Sequence, residues 1–391
     1  MTDRQYDFVL FGATGFAGGL TAEYLARHAP RAARWALAGR DRRKLDAVRE
    51  RLAAINPTCA ALELLLADAA DPAALARVAR QSKVLITTVG PYALHGEPLL
   101  RACADAGTHY CDLTGEPEFV DAMWLKYQAT AERTGAKLVH CCGFDSVPHD
   151  LGAYYTVLQL PTGVPLKLAG HVRASGGFSA GTYHSAINAF ARARQYLKLN
   201  RERRLRETRP LQRRIGSLPA RIRYDRALGS WVVPMPTIDP QIVKRSAAAL
   251  DRYGPDFRYG HFLQIKQLSH VAALVGGVGA LFAGAQFKLS REFLLARKSS
   301  GEGPSAQQRE QGWFRVRFVG EGGGKRVVVD VKGGDPGYGE TAKMLAESGL
   351  ALAFDNLPPR AGQLTPVAAM GDALLVRLQR AGISFSLVES T

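Results

Sequence analysis

Tyr6-Asp-Phe-Val-Leu-Phe-Gly-Ala-Thr-Gly-Phe-Ala-Gly18 is the stretch whose reading decides the fold. An apolar run, Tyr6–Phe11, has the length of a buried strand and delivers the chain into glycines at 12, 15 and 18. A helical pattern begins where the glycines end. Gly12 permits a tight turn, Gly15 lets the backbone approach a pyrophosphate, and Gly18 lets the helix pack closely on the strand. The unpaired N–H groups and dipole of the helix start then attract the phosphates. The middle glycine departs by one residue from the familiar G-x-G-x-x-G spacing, so position carries the argument: strand before, helix after. The stretch therefore predicts a dinucleotide site, with Gly12, Thr14, Gly15, Phe16 and Gly18 at the phosphates.

Outward from this loop, residues 6–140 alternate short apolar runs with helical patterns. The runs are Tyr6–Phe11, Trp35–Ala38, Leu62–Ala67, Val84–Thr88, His109–Cys111 and Lys137–Cys141. Helices are expected near 16–28, 41–54, 71–80, 96–106 and 117–134, several with a cap such as Asp41 or Asp71-Pro72. Six strands with helical crossovers make an α/β fold, a doubly wound Rossmann-type parallel sheet with its ligand at the carboxyl ends of the strands. After about residue 150 the rhythm breaks. Strand 164–176, a helix near 182–198, a hairpin of Trp313–Phe318 and Arg326–Val331 across Gly320–Gly324, and helices Gly339–Phe354 and Val367–Ala381 are expected. The division is a dinucleotide-binding domain at 1–150, a second α+β domain at 151–335 for substrate and interactions, and C-terminal helices at 336–391 that pack back on the first domain.

The end of the second strand bears on the choice of cofactor. NAD sites carry an acid at its end for the ribose hydroxyls. Here Ala38-Gly39-Arg40 stands instead, with Arg43 and Lys44 following. A guanidinium matches phosphate oxygens in a bidentate way, so Arg40 points to NADP(H) and a 2′-phosphate rather than NAD. Asp68, ending the third strand, is placed beside the adenine or as a helix cap. Thr88, Gly90 and Pro91, after the fourth strand, complete the predicted cofactor contacts.

Several separated motifs now share a resemblance. Gly12–Gly18, the Leu37-Ala-Gly-Arg-Asp41 turn, Thr87-Thr-Val-Gly-Pro-Tyr-Ala-Leu-His-Gly96, Tyr110-Cys-Asp-Leu-Thr-Gly-Glu116 and Cys142-Gly-Phe-Asp-Ser-Val-Pro148 resemble the saccharopine dehydrogenase-like oxidoreductases. Gly334-Asp-Pro-Gly-Tyr-Gly-Glu-Thr341, Leu364-Thr-Pro366 and Met370-Gly-Asp372 extend the likeness, which is closest to the branch of trans-acting enoyl reductases. It covers residues 6–150 and 333–380 well and the middle more thinly. The resemblance implies an NAD(P)H-dependent oxidoreductase, in some members reducing a C=C bond of a lipid or polyketide. Two alternatives stand beside it: a saccharopine-type amino-acid dehydrogenase acting on a C–N bond, and a non-catalytic, membrane-associated NADP-binding scaffold.

An enoyl reduction needs a donor near the carbonyl oxygen and an acid near the α-carbon. Tyr92 is the first candidate for the donor, against packing beneath the cofactor. Asp145 is a candidate for orientation or proton supply, against capping the helix near His149. Tyr183, with His184, reaches the cleft if the second domain closes over it, and His95 is a proton shuttle or a helix cap. No H-E-x-x-H or Cys/His cluster of ligand spacing occurs, so no metal site is expected. The five cysteines (59, 103, 111, 141, 142) form no C-x-x-C pair, which suits a reducing, cytoplasmic compartment.

The chain carries +16, from 51 Lys and Arg against 35 Asp and Glu, and favours acidic partners. Arg192–Arg226 concentrates the excess, with acids too sparse for much internal pairing. Segment 267–287, nearly uncharged and Gly-rich, is close to a bilayer-spanning length. The readings are an interfacial helix, part of an acyl-binding wall, or a homodimer contact, with a true span disfavoured by its glycines. Together the two features suit a small hydrophobic or carrier-bound substrate, an anionic membrane surface or an acyl carrier protein. Nucleic acid has no recognition motif in its favour.

Overall fold

Phe8, Val9 and Leu10 are fully buried, as a strand covered on both faces requires, and the first sheet grows from them. The computed structural model describes residues 4–175, 183, 187, 191–208, 210–296 and 303–391. β1 (Tyr6–Phe11), β2 (Trp35–Gly39), β3 (Glu63–Leu66), β4 (Ser82–Thr87), β5 (His109–Asp112) and β6 (Lys137–Val139) lie parallel in the order 3-2-1-4-5-6. Phe8 pairs with Trp35 on one side and Val84 on the other. Crossover helices run over Phe16–His28, Arg42–Ile55, Pro72–Gln81, Glu97–Ala106 and Pro117–Thr134, so the expected rhythm is present throughout. Between β1 and β4 the crossovers change direction, which opens a crevice at their carboxyl ends.

The second sheet is mixed. It holds β7 (Leu166–Ser175), β8 (Arg214–Ser217), β9 (Arg223–Asp225), β10 (Ser230–Pro234), β11 (Asp256–Ile265), β12 (Trp313–Gly322) and β13 (Lys325–Gly333). β12 and β13 form the expected hairpin, longer than the reading, turning through Gly323 and Gly324 at φ +58° and +79°. Helix Val147–Leu158 packs on this sheet closely enough that a Cβ at Gly152 would stand 2.2 Å from the Phe318 ring.

Downstream of 336 the chain returns to both sheets. Helix Gly339–Phe354 packs on β4, β5 and helix Phe16–His28, where a Cβ at Gly349 would come within 2.2 Å of Ile86. Two strands in this part of the chain were not expected, just as β8, β9, β10 and β11 of the second sheet were not. β14 (Gly362–Leu364) extends the first sheet beside β6, and β15 (Ser384–Ser390) pairs with β13 as an edge of the second. The first has only three residues, and the second is mostly polar and exposed, so neither carries a periodic apolar signal. Helix Pro366–Arg380 is held to Val147–Leu158 by the buried Asp150 carboxylate, which accepts the Val367 N–H at 3.0 Å.

The basic run is better paired than its local composition suggests. Arg203, buried on helix Ala193–Arg206, meets Asp121 at 2.7 Å and also pairs with Glu207. Arg206 pairs with Glu202 and Arg213 with Asp251. Two of these acids come from distant elements, which is why counting neighbours in sequence underestimated the pairing.

Candidate functional site

At the phosphate loop, Gly12 sits at φ +96° and gives its N–H to Ala38 at 3.0 Å. Any Cβ there would lie 2.7 Å from Val89 and 2.8 Å from the Thr88 hydroxyl. The Thr88 Oγ1 donates to the Gly12 carbonyl at 3.1 Å, tying the end of β4 to the loop. Gly18 is tighter: its Cβ would stand 2.1 Å from the Gly12 oxygen. Helices Arg42–Ile55 and Pro72–Gln81 are capped by Asp41 and Asp71, whereas Phe16–His28 begins with no side-chain cap and no acid in its first turn. Its start is left for an anion. Thr14 and Gly15 are exposed beside it. Phe16 instead turns into the protein, edge-on to Tyr338 at 4.8 Å and under the Arg309 guanidinium.

Arg40 extends into solvent at the end of β2, with no hydrogen bond or ion pair to any described residue. Asp41 caps the next helix through Lys44 N–H and Arg42 pairs with Asp46, so Arg40 keeps its positive charge free, with the exposed Arg43 and Lys44 beside it. Asp68 spends one oxygen on the Ala70 N–H at 2.8 Å, a turn-closing role, and lies half-buried just past the end of β3. These residues fit an adenosine 2′-phosphate. Arg40→Ala is expected to weaken NADPH binding by roughly 10- to 100-fold, the worth of a charge-assisted contact, while leaving NADH nearly unchanged. Fluorescence titration checks this, and wild-type protein binding NADH as tightly as NADPH would sink the assignment.

At the nicotinamide end, Gly90 and Pro91 are joined by a cis peptide. The Glu116 carboxylate accepts both the Tyr92 and Ala93 N–H groups, at 3.0 and 2.9 Å, and so caps the short helix Tyr92–His95. Tyr92 corrects the reading of it as substrate donor. Its phenol is buried, donates its single proton to the Thr87 carbonyl at 3.0 Å and receives the Leu113 N–H at 3.4 Å. Burial, with Asp112 nearby, holds its pKa well above the ordinary value. It braces the β4 and β5 ends. Tyr92→Phe is therefore expected to lower stability by about 1 kcal/mol, visible as a few degrees in Tm, while kcat stays near wild type. His95 is exposed on the same short helix.

The next strand end is organised by Asp112, whose role no spacing announced. Its carboxylate accepts Thr114 N–H, Cys141 N–H and the Tyr110 hydroxyl, and meets His140 Nδ1 at 2.7 Å. These bonds hold Cys141 at φ +62°, a conformation a side chain rarely adopts, and aim the following Gly143–Ser146 turn. From the other side Thr341 accepts the Phe144 N–H at 3.1 Å.

Asp145 stands on that turn. Its carboxylate approaches Gly115 so closely that a Cβ there would be 2.7 Å from Oδ2. No described residue donates a hydrogen bond to it, nor does it cap helix Val147–Leu158. Loss of water around it lifts its pKa from 3.8 to about 6. Behind it lies a buried group from three elements: His149, Asp239 and His261, with ligand-type atoms within 4.8 Å of one another. His149 Nε2 is 3.5 Å and His261 Nε2 3.6 Å from the Asp239 carboxylate. Tyr259 hydroxyl meets His261 Nδ1 at 3.0 Å. Burial pushes His149 well below its ordinary pKa and His261 down to about 3, and raises Asp239 well above its own, with the Asp145 charge adding to the effect. Sequence spacing could not reveal this grouping, because its members are up to 112 positions apart (261 less 149). Tyr183 is half-buried, and His184 lies outside the described residues.

The arrangement thus brings Gly12, Thr14, Gly15, Gly18, Thr88, Gly90, Pro91 and Asp145 to the carboxyl ends of one parallel sheet. Comparison with known proteins agrees with the geometry. Residues 8–139 match the family model of the saccharopine dehydrogenase NADP binding domain. The chain is 41% identical over 412 residues to a provisionally named trans-acting enoyl reductase of Mycobacterium tuberculosis, covering 98% of this chain and 97% of that one. Identity to a trans-acting enoyl reductase of Mycobacterium ulcerans is 37% over 416 residues, covering 98% of each. Apo saccharopine dehydrogenase (L-Glu forming) from Saccharomyces cerevisiae shares the fold, with a TM-score of 0.55, 13% identity and coverage of 98% and 99%. The chain is an NADP-dependent oxidoreductase that belongs to the saccharopine dehydrogenase-like proteins, in the family of the trans-acting enoyl reductases.

Proposed function

We propose that the protein reduces a carbon–carbon double bond conjugated to a carbonyl, in a hydrophobic acyl substrate, with Asp145 as the proton donor. The observation that carries this reading is the Asp145 carboxyl: unpartnered, partly buried, and half-protonated near pH 6 at the strand ends where the nicotinamide end of the crevice lies. The names of the near-full-length relatives support the reaction class. NADPH, when bound, supplies the hydride.

The chain's own residues have three tasks. Gly12, Gly15 and Gly18 let the backbone N–H groups reach the pyrophosphate, and Arg40 holds the 2′-phosphate. Asp112, Glu116 and Tyr92 fix the two turns that floor the crevice. Asp145 gives its proton to the substrate α-carbon as the β-carbon is reduced, and is left as carboxylate to be reprotonated from solvent. A dicarboxylate amino-acid substrate would call for guanidinium groups on this turn. What packs on Phe144 instead is aromatic and imidazole, Phe314 at 5.0 Å and His149 at 5.4 Å between ring centres. The test is NADPH oxidation followed by absorbance with long-chain enoyl thioesters and, separately, with an oxo acid plus an amino acid. Consumption only with the second pair would replace this reading by amino-acid dehydrogenation.

A further inference from the structure

Helix Leu268–Gln286 contains no charged side chain, and only Val271 and Ala285 of its nineteen residues are buried. A helix that is apolar all round belongs in a protein core or in lipid, and this one is not in the core. Val275 and Val278 are exposed, and a Cβ added at Gly276, Gly277 or Gly279 would meet no other part of the described protein within 4 Å. The chain then turns through Phe287, 71% exposed, into helix Lys288–Ala296, whose Leu289 is 83% exposed. The turn is built: Ser290 Oγ donates to the Gly284 carbonyl, and a Cβ at Gly284 would lie 3.1 Å from Leu294.

We propose that this helical hairpin is a monotopic membrane anchor, buried in one leaflet of an anionic bilayer. Three observations select lipid over a protein partner. The first is the absence of any polar stripe, since a helix docking in a protein groove shows apolar residues on one face only. The second is charge: exposed Lys266 and Lys288 bracket the apolar run on a chain of net charge +16, which suits acidic headgroups.

The third is topology. The hairpin leaves the second sheet at Ile265, the end of β11, and returns at Trp313, the start of β12. Both strands flank β7, with Leu263 beside Val172 and Trp313 beside Ser175. The two ends of the excursion are thus fixed side by side on one side of the membrane. Nineteen residues measure about 28 Å, nearly the hydrocarbon thickness. Crossing it would force the polar residues 297–312 back through hydrocarbon, which has no partner for their charges. Insertion into one leaflet has no such cost.

The same sheet end meets the cofactor domain. Arg309, just ahead of β12, lies over the ring of Phe16 at the phosphate loop, 5.5 Å from its centre. The anchor therefore holds the crevice near the lipid surface. Delivery of a lipid-borne substrate by this route rests on the proposed enoyl reduction; the membrane contact itself does not.

The test uses the full chain in flotation with vesicles of phosphatidylcholine, with and without phosphatidylglycerol. Wild-type protein is expected to float with the anionic vesicles. Val275→Asp with Val278→Asp should reduce the floated fraction more than about tenfold, with NADPH affinity retained as the proof of folding. Lys266→Glu with Lys288→Glu should weaken flotation most at low salt. Trypsin added outside sealed vesicles should still cut at Lys288 or Arg291. Protection of those sites would overturn the one-leaflet placement. Wild-type protein that does not float, or floats equally well with both aspartates, overturns the proposal; so does a dimer that the aspartates dissociate, which would assign the helix to a second copy of this chain.

Discussion

Asp145→Asn is expected to lower kcat by about 100-fold or more, the usual contribution of a positioned general acid, with NADPH affinity unchanged. The amide has nearly the shape of the carboxyl but no proton to give. The pH dependence carries a sign. Burial raises this pKa from 3.8 to about 6, and the protonated form is the active one. kcat/KM is therefore full below pH 6 and falls as pH rises through that value, in the wild type but not in the variant's residual rate. Stability falls in the same direction. Between pH 3.8 and 6 the unfolded chain releases a proton that the folded chain keeps, so the wild-type fold loses stability over this window and does not recover it at neutral pH. The variant, free of that burden, should melt higher than wild type at pH 7.5 while losing turnover. A residue that served only packing would show the opposite pair of effects, and that outcome would remove Asp145 from the mechanism.

Gly18→Ala is expected to cost at least about 100-fold in NADPH affinity. The added methyl would stand 2.1 Å from the Gly12 backbone oxygen, which cannot swing aside, and 2.7 Å from the Thr88 hydroxyl, which is bonded to that same oxygen. The loop must move, and the N–H groups at the helix start move with it. Losing two charge-assisted hydrogen bonds, each worth about 1.5–3 kcal/mol, gives that factor or more. Gly15→Ala is the control. Its Cβ meets only the Gly12 oxygen at 3.6 Å, an ordinary contact, so the protein without cofactor should keep its Tm. Equal NADPH affinity in wild type and Gly18→Ala, measured by calorimetric titration, would mean that the loop does not hold the pyrophosphate.

The parts legible in the sequence are those governed by local rules. Tyr6–Phe11 and the three glycines specify strand, turn and helix within thirteen residues, and Arg40 is informative because strand β2 has one defined end. Asp145 was found as a turn residue, although its unpartnered state and raised pKa depend on burial by other segments. Tyr92 misled for a related reason. A tyrosine beside a cofactor crevice looks like a donor, and only the Thr87 carbonyl three-dimensionally opposite shows that its proton is already committed. Asp112 and Glu116 stood inside a quoted motif, but their bracing roles depend on His140, Cys141, Tyr92 and Ala93 from other elements, and the His149–Asp239–His261 group is likewise assembled from separate elements. The same holds for Arg203, whose counter-charge Asp121 sits 82 positions earlier (203 less 121). β14 and β15 are made strands by the sheets that receive them, not by their own pattern.

Hydride transfer from NADPH to an enoyl carbon is the proposed reaction. The measurement that reaches it most directly uses NADPH deuterated at the transferred position of the nicotinamide, a long-chain α,β-unsaturated acyl thioester, and mass analysis of the product. One deuterium at the β-carbon, with a solvent-derived proton at the α-carbon, is the predicted result, and Asp145→Asn should suppress it. Deuterium appearing instead at the α-carbon of an amino acid formed from an oxo acid, with the thioester recovered unchanged, would contradict the account.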